Sequence, residues 1–232
     1  MSDFANIAII ALAALVHATL QLGLGCLLLL YHESAGKHIR EQTRNLVGSF
    51  ISGVGLAVFL LLATACFLVT SIFGGALSAP ILTIAIGILI ALAVAMWFLY
   101  FRRGDTTELW LPKVVAGFIS NRAKVTSSNT EAFSLGVTTS LAEMPFLAVL
   151  LLVAASSILE LRPEYQPMTV CFYTIIAIVP LAVMSLIIRS GQNAVDIQKW
   201  RVRNKLFLRV VSGFSFLILG GFIFAFKILG GS

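Results

Sequence analysis

Long apolar runs separated by short polar segments make up most of this chain. Six runs are long enough to cross a bilayer, which requires about 20 apolar residues for roughly 30 Å of hydrocarbon. They cover residues 4–31, 46–73, 80–101, 131–159, 168–188 and 208–229. We therefore predict an all-α membrane protein with six transmembrane helices.

The composition excludes several classes of protein. Only 11% of the 232 residues are charged and 59% are hydrophobic, whereas soluble domains carry about a quarter charged residues. A soluble domain and a nucleic-acid binder are both excluded on this ground. Cys26, Cys66 and Cys171 lie inside apolar runs without paired spacing, so we expect no disulfide framework, zinc site or redox pair. No cofactor is expected.

The basic residues predict the orientation of the spans. Fourteen of the sixteen Lys and Arg residues lie between spans one and two, three and four, or five and six, while only Arg162 and Lys227 lie on the other side. Positive residues are retained on the cytoplasmic side. We therefore predict a multi-pass protein of the cytoplasmic (inner or plasma) membrane with both termini outside.

The longest connection divides the chain into two halves of three spans. Residues 1–104 form the first half, 105–130 a cytoplasmic connecting loop and 131–232 the second half. Three is odd, so the halves enter the membrane from opposite sides, which is the arrangement of an inverted 3+3 repeat. An ordinary six-helix bundle remains the alternative. Within the loop, the stretch from Glu108 to Ala123 predicts an interfacial helix, and Ser128 with Glu131 predicts the start of span four.

Two ionisable side chains lie deep inside the predicted spans. Glu143 is the one acidic residue near the centre of a span, and His17 is the one histidine inside a span. A carboxylate in hydrocarbon costs at least about 2.5 kcal/mol on insertion scales, so both side chains should face the bundle interior. We predict a pair near the bilayer midplane. It either forms a functional site or locks two helices by hydrogen bonding.

Polar and small residues continue from this pair along one face of each helix. Gln21 follows His17 by four residues, while Thr139 and Ser140 precede Glu143 by four and three residues. Residues at these spacings are neighbours on a helix surface. Two facing stripes of this kind predict a polar cavity between spans one and four.

Proline interrupts span four beside the carboxylate. Pro145 cannot donate a hydrogen bond to the carbonyl of Leu141, so we expect a broken helix with a freed acceptor, a common form of midplane substrate site. Pro180 in span five is interpreted as a simple kink. The predicted substrate and coupling residues are His17, Gln21, Thr139, Ser140, Glu143 and Pro145.

One segment resembles a known family. Residues 132–156, AFSLGVTTSLAEMPFLAVLLLVAAS, resemble the fourth span of the LysE-type transporter superfamily, in which an Ala-Phe-x-x-Gly start leads to a mid-helix proline. The resemblance implies six spans in a 3+3 arrangement and the export of amino acids or divalent metal ions. Span one departs from the amino acid exporters, since His17 to Gln21 stand where those proteins carry a Pro-Gly-Pro turn.

The favoured hypothesis is a secondary transporter, which moves a small solute or cation by rocking one half against the other. Glu143 would carry a proton, and His17, whose side chain has an ordinary pKa of about 6.5, would be its partner. An amino acid, an amine and a metal ion remain open as substrates. A single carboxylate supplies less anionic oxygen than a divalent metal normally requires.

The sequence fits two other classes of protein less well than it fits a transporter. A non-transporting assembly or stabilising subunit of a larger membrane complex is the alternative, with the central pair as a structural lock. An enzyme is not expected, because H-E-x-x-H, G-x-S-x-G and phosphate-binding glycine loops are missing from the sequence. The expected partners are the lipid bilayer and a small-molecule or ion substrate, while a homo-oligomer or a membrane partner remains open.

Overall fold

The computed structural model describes residues 3–20, 24–28, 30, 40–98, 113–189, 199–200 and 203–230. These residues form helices and their connections, and no strand occurs among them. Five helices are long and apolar enough to cross a membrane, and a bent pair of helices gives a sixth span if counted as one. The all-helical prediction is confirmed, and the helices indicate a multi-pass membrane protein.

Eight long helices are described. They are α1 (Asp3–Leu20), α2 (Arg40–Phe73), α3 (Ala79–Phe98), α4 (Lys113–Val125), α5 (Asn129–Ala142), α6 (Met144–Leu159), α7 (Gln166–Arg189) and α8 (Lys205–Ile223). A 3-10 turn at Pro163–Tyr165 precedes α7, and a π-helical turn at Phe224–Leu229 continues α8. Helix α4 lies in the connecting segment where the sequence predicts a short helix. The first residues of that prediction, 108–112, lie outside the described residues.

Helix α2 is much longer than a membrane crossing needs. Its 34 residues span about 50 Å at 1.5 Å per residue, so part of it extends beyond the apolar layer. It ends at Gly74 and Gly75, whose φ angles of 69° and 98° are accessible to glycine at little cost. The N–H groups of both glycines donate back to carbonyls of the last turn, at Thr70 and Val69.

The predicted start of span four is confirmed. The backbone N–H of Glu131 donates to the Ser128 hydroxyl at 3.3 Å, and the Glu131 carboxylate accepts the N–H of Ser128 at 3.3 Å. This reciprocal capping box satisfies donors that the first helical turn would otherwise leave unpaired. Helix α5 therefore begins at a sharply defined point.

Span four is broken at Glu143. Helices α5 and α6 are bent by 77° relative to each other, and Glu143 is the residue between them. Pro145 lies in the first turn of α6, where a missing N–H costs little. The broken helix predicted beside the carboxylate is therefore present. Pro180, in contrast, lies within α7, which runs on through it from Gln166 to Arg189.

Two glycines bring α5 into backbone contact with α2. A Cβ added at Gly53 would overlap the carbonyl of Phe133, and one added at Gly136 would overlap the carbonyl of Phe50. Small residues permit this close approach of membrane helices. Gly53 and Gly136 thus have reciprocal packing roles at this crossing. This crossing fixes the helix that leads to Glu143.

The helices of the two predicted halves pack across each other. Helix α1 contacts α6, α7 and α8, while α2 contacts α5, α6 and α7. Helix α3 contacts α6 and α8. The centre of the molecule therefore lies between helices from both halves, and it is here that His17 and Glu143 meet.

Candidate functional site

His17 and Glu143 face each other in the interior. His17 Nε2 and Glu143 Oε2 are 4.0 Å apart, and the two side chains are 3% and 6% exposed. This distance lies at the limit of an ion pair and is too long for a direct hydrogen bond. The predicted meeting of these two residues is present in the structure. The nitrogen and the oxygen are therefore not in direct contact.

Tyr173 of α7 contacts the Nδ1 side of the His17 imidazole. Its hydroxyl lies 3.2 Å from His17 Nδ1, and the two ring centroids are 5.8 Å apart. Tyr173 is fully buried. Depending on the tautomer, either the phenol donates to Nδ1 or Nδ1–H donates to the phenol oxygen. In both cases the contact directs Nε2 towards Glu143.

The hydroxyls of Thr139 and Ser140 are buried beside the carboxylate. Thr139 Oγ1 donates to the carbonyls of Leu135 at 3.0 Å and Gly136 at 2.8 Å. Ser140 Oγ donates to the carbonyl of Gly136 at 3.2 Å. Because each hydroxyl carries a single hydrogen, these bonds leave only lone pairs for any occupant of the site.

These polar groups border a small cavity at the helix break. Its volume is about 10 Å³, which corresponds to one water molecule. Four helices and the break itself contribute to its wall. The lining residues are His17, Val54, Val58, Thr139, Ser140, Glu143, Ala177 and Leu181.

Four of the six predicted site residues line this cavity, and two do not take part in its described wall. Gln21 lies outside the described residues. Pro145 is exposed and acts as the start of α6. The carbonyl of Leu141, expected to be a freed acceptor, receives the backbone N–H of Glu143 at the end of α5.

Sequence reasoning missed Tyr173. A tyrosine in the interior of an apolar span normally requires a partner for its hydroxyl, and Tyr173 lies five residues inside the predicted fifth span. That signal was available. The sequence could not show that the partner is His17, because His17 lies 156 residues away in the chain.

A second acid–base pair lies at one end of the bundle. Lys227 Nζ, in the π-helical turn after α8, is 2.6 Å from Glu160 Oε1 at the end of α6. Nζ has no hydrogen bond of acceptable angle, but the separation is that of an ion pair. The Lys227 side chain is 4% exposed and that of Glu160 is 27% exposed. Nearby, the Ser156 hydroxyl accepts the N–H of Leu77 at 3.1 Å, which ties the loop between α2 and α3 to α6.

The described residues offer little for a transition metal. Among them, no group of three or more His, Cys, Asp or Glu side chains is placed to hold a metal ion. The three cysteines form no disulfide, and Cys171 is exposed on α7. The described lining of the central cavity therefore owes its chemistry to one carboxylate, one imidazole and two hydroxyls.

Comparisons with protein families, with curated proteins and with solved structures found no match to this chain.

Proposed function

We propose that this chain is a secondary transporter that moves a small solute or cation across the cytoplasmic membrane, with proton coupling through Glu143 and His17. The observation that carries the proposal is the buried cavity at the helix break. It is bordered by the two ionisable side chains that lie deepest in the spans. Intramembrane ionisable residues generally mark substrate paths and proton relays.

The packing of the helices supports an inverted repeat. In such a repeat α1 corresponds to α5–α6, α2 to α7, and α3 to α8. The contact of α2 with α5 and α6 then has its counterpart in the contact of α7 with α1, and the contact of α1 with α8 has its counterpart in that of α3 with α6. This reciprocity favours a 3+3 transporter of LysE-type layout over a bundle of unrelated helices.

The position of Glu143 supports a coupling role. Its backbone N–H donates to the Thr139 carbonyl of α5 at 3.2 Å, and its own carbonyl accepts the N–H groups of Phe146 and Leu147 of α6 at 2.9 and 3.1 Å. The residue that would bind a proton is therefore also the joint between two helices. A change in the charge of its side chain would act directly on the angle of the break.

Proton flux into proteoliposomes tests this proposal. The purified chain is reconstituted with a pH-sensitive dye inside, and gradients of amino acids, amines and cations are imposed. A transported solute should move protons with wild type, while Glu143→Gln should abolish the proton signal because its amide cannot exchange a proton.

Glu131→Gln is the matched control, since Glu131 lies on the same broken span but is exposed in the capping box. It should retain the proton flux. Equal flux from wild type and Glu143→Gln, or no solute-dependent flux from wild type with any of the solutes, would contradict the proposal.

An assembly subunit is the second candidate, because Tyr173, His17 and Glu143 join three helices as a structural lock would. This role requires that loss of the Glu143 charge destabilise the fold. Thermal unfolding of Glu143→Gln, compared with wild type, distinguishes the two functions.

A further inference from the structure

The central cavity offers an occupant mostly hydrogen-bond acceptors. Thr139 and Ser140 have given their hydroxyl hydrogens to carbonyls of their own helix, so their oxygens present lone pairs. The Glu143 carboxylate is an acceptor when ionised. The remaining described lining residues, apart from His17, are apolar. Such a wall favours a cation and disfavours an anion.

The size of the cavity restricts the cation further. A volume of about 10 Å³ accommodates one water-sized particle, which is smaller than any amino acid. A dehydrated alkali cation or an ammonium ion fits within this limit. An amino acid or a quaternary amine does not.

The charge of the site selects a monovalent ion. Divalent cations are normally held by several anionic or carbonyl oxygens, and the described lining of the cavity has one carboxylate. One positive charge neutralises this carboxylate, and the two hydroxyl oxygens supply further ligands. His17, at 4.0 Å from Glu143, is not directly hydrogen-bonded to the carboxylate, so an ion can approach the carboxylate from the cavity beside both side chains.

We infer that the cavity between Glu143, Thr139 and Ser140 is a binding site for a water-sized monovalent cation, which competes with a proton for the Glu143 carboxylate. This inference rests on the proposed function and assigns it a substrate class. Binding breaks the O–H bond of the protonated carboxyl group, releases the proton to water and places the cation against the carboxylate. One proton is exchanged for one cation, so charge and atoms balance.

Ion binding to the full chain in nanodiscs tests the inference. Thermal stability and proton release are measured with sodium, potassium, ammonium and choline chlorides at equal ionic strength and at three pH values. At least one small cation should stabilise wild type and release about one proton, while choline should have no effect. Because a proton competes for the same oxygen, apparent affinity should fall about tenfold per pH unit on the acidic side of the carboxylate's titration.

Neighbouring hydroxyls provide matched variants. Thr139→Val should weaken cation binding about tenfold, the value of one hydrogen-bond-like ligand to a charge. Thr138→Val is the control, because Thr138 bonds to the Ser134 carbonyl and does not line the cavity. Glu143→Gln should remove the cation effect and the proton release together. If it also fails to fold, Thr139→Val against Thr138→Val still decides the question.

The outcomes separate the inference from the proposed function. Cation binding that depends on Glu143 and Thr139 supports the inference, even if proteoliposomes show no flux and transport is thereby refuted. If sodium, potassium and ammonium all fail to bind wild type while an amino acid or amine drives proton flux, the inference is overturned and transport stands. Equal binding by Thr138→Val and Thr139→Val variants also overturns it.

Discussion

The two acid–base pairs of this molecule differ in almost every physical respect. His17 and Glu143 are 4.0 Å apart, nearly fully buried and beside a cavity. Lys227 and Glu160 are 2.6 Å apart, and Glu160 retains part of its exposure at the end of the bundle. The side chains of the first pair are not in direct hydrogen-bond contact, whereas those of the second pair touch. A pair in direct contact at the end of the bundle can stabilise the packing of its helices. A pair that is not in direct contact at the centre can interact with an occupant of the cavity.

This difference indicates that charge stabilises the fold at the Lys227–Glu160 pair and not at the His17–Glu143 pair. A buried charge without a close partner is costly, so Lys227 depends on Glu160. Glu143 faces His17 at 4.0 Å, and this imidazole carries a charge only when protonated, so burial of the Glu143 charge is itself costly. The same change to Gln should therefore lower stability at Glu160 and leave it equal or higher at Glu143.

The largest effect on stability is expected at the end of the bundle. Glu160→Gln leaves the buried Lys227 ammonium without its counter-charge, and we expect a loss of about 2 kcal/mol. This is less than the 3–5 kcal/mol of a fully buried pair, because Glu160 is 27% exposed. Thermal unfolding in detergent measures the change. Adding Lys227→Met should restore most of the stability, and a double variant as unstable as the single one would refute this view of the pair.

The same substitution at the centre should behave differently. Glu143→Gln keeps the shape of the side chain and removes a charge whose burial is costly. Its melting temperature should therefore equal or exceed that of wild type, with a change in stability within about 1 kcal/mol. The measurement uses the same unfolding assay as for Glu160→Gln. A fall as large as that of Glu160→Gln would favour the structural lock and the assembly-subunit function.

The smallest effect is expected from the tyrosine behind the imidazole. Tyr173→Phe removes one hydrogen bond to His17, and side-chain hydrogen bonds in membrane proteins average about 0.6 kcal/mol. Stability should fall by this amount or less. The pH profile of proton flux should shift, because the imidazole loses the partner that orients it. An unchanged profile would show that Tyr173 serves packing alone.

Much of the central site was predictable because ionisable residues are rare in this chain. Glu143 and His17 were found by their depth in apolar runs, and Thr139 and Ser140 by helical spacing from Glu143. The broken helix was predicted from Pro145. Its position at Glu143 follows from a property of proline, which is tolerated in the first turn of a helix and so places the break before itself.

The remainder depends on contacts between distant parts of the chain. Tyr173 lies in an apolar run of the sequence, and only the fold shows that its hydroxyl reaches His17. Lys227 and Glu160 lie near the ends of different spans, where the sequence predicts ordinary exposed residues. Their pairing involves a π-helical turn at Phe224–Leu229, which no local pattern in the sequence indicates.

The one carboxylate in the described cavity lining has a consequence for the energy source of the proposed transport. An exchange of one proton for one monovalent cation on Glu143 moves no net charge across the bilayer in a full cycle. Membrane voltage, which does about 2.3 kcal/mol of work per elementary charge at 100 mV, would then neither drive nor oppose the exchange. The direction of movement would follow the two concentration gradients alone, so a cell could depolarise without reversing it.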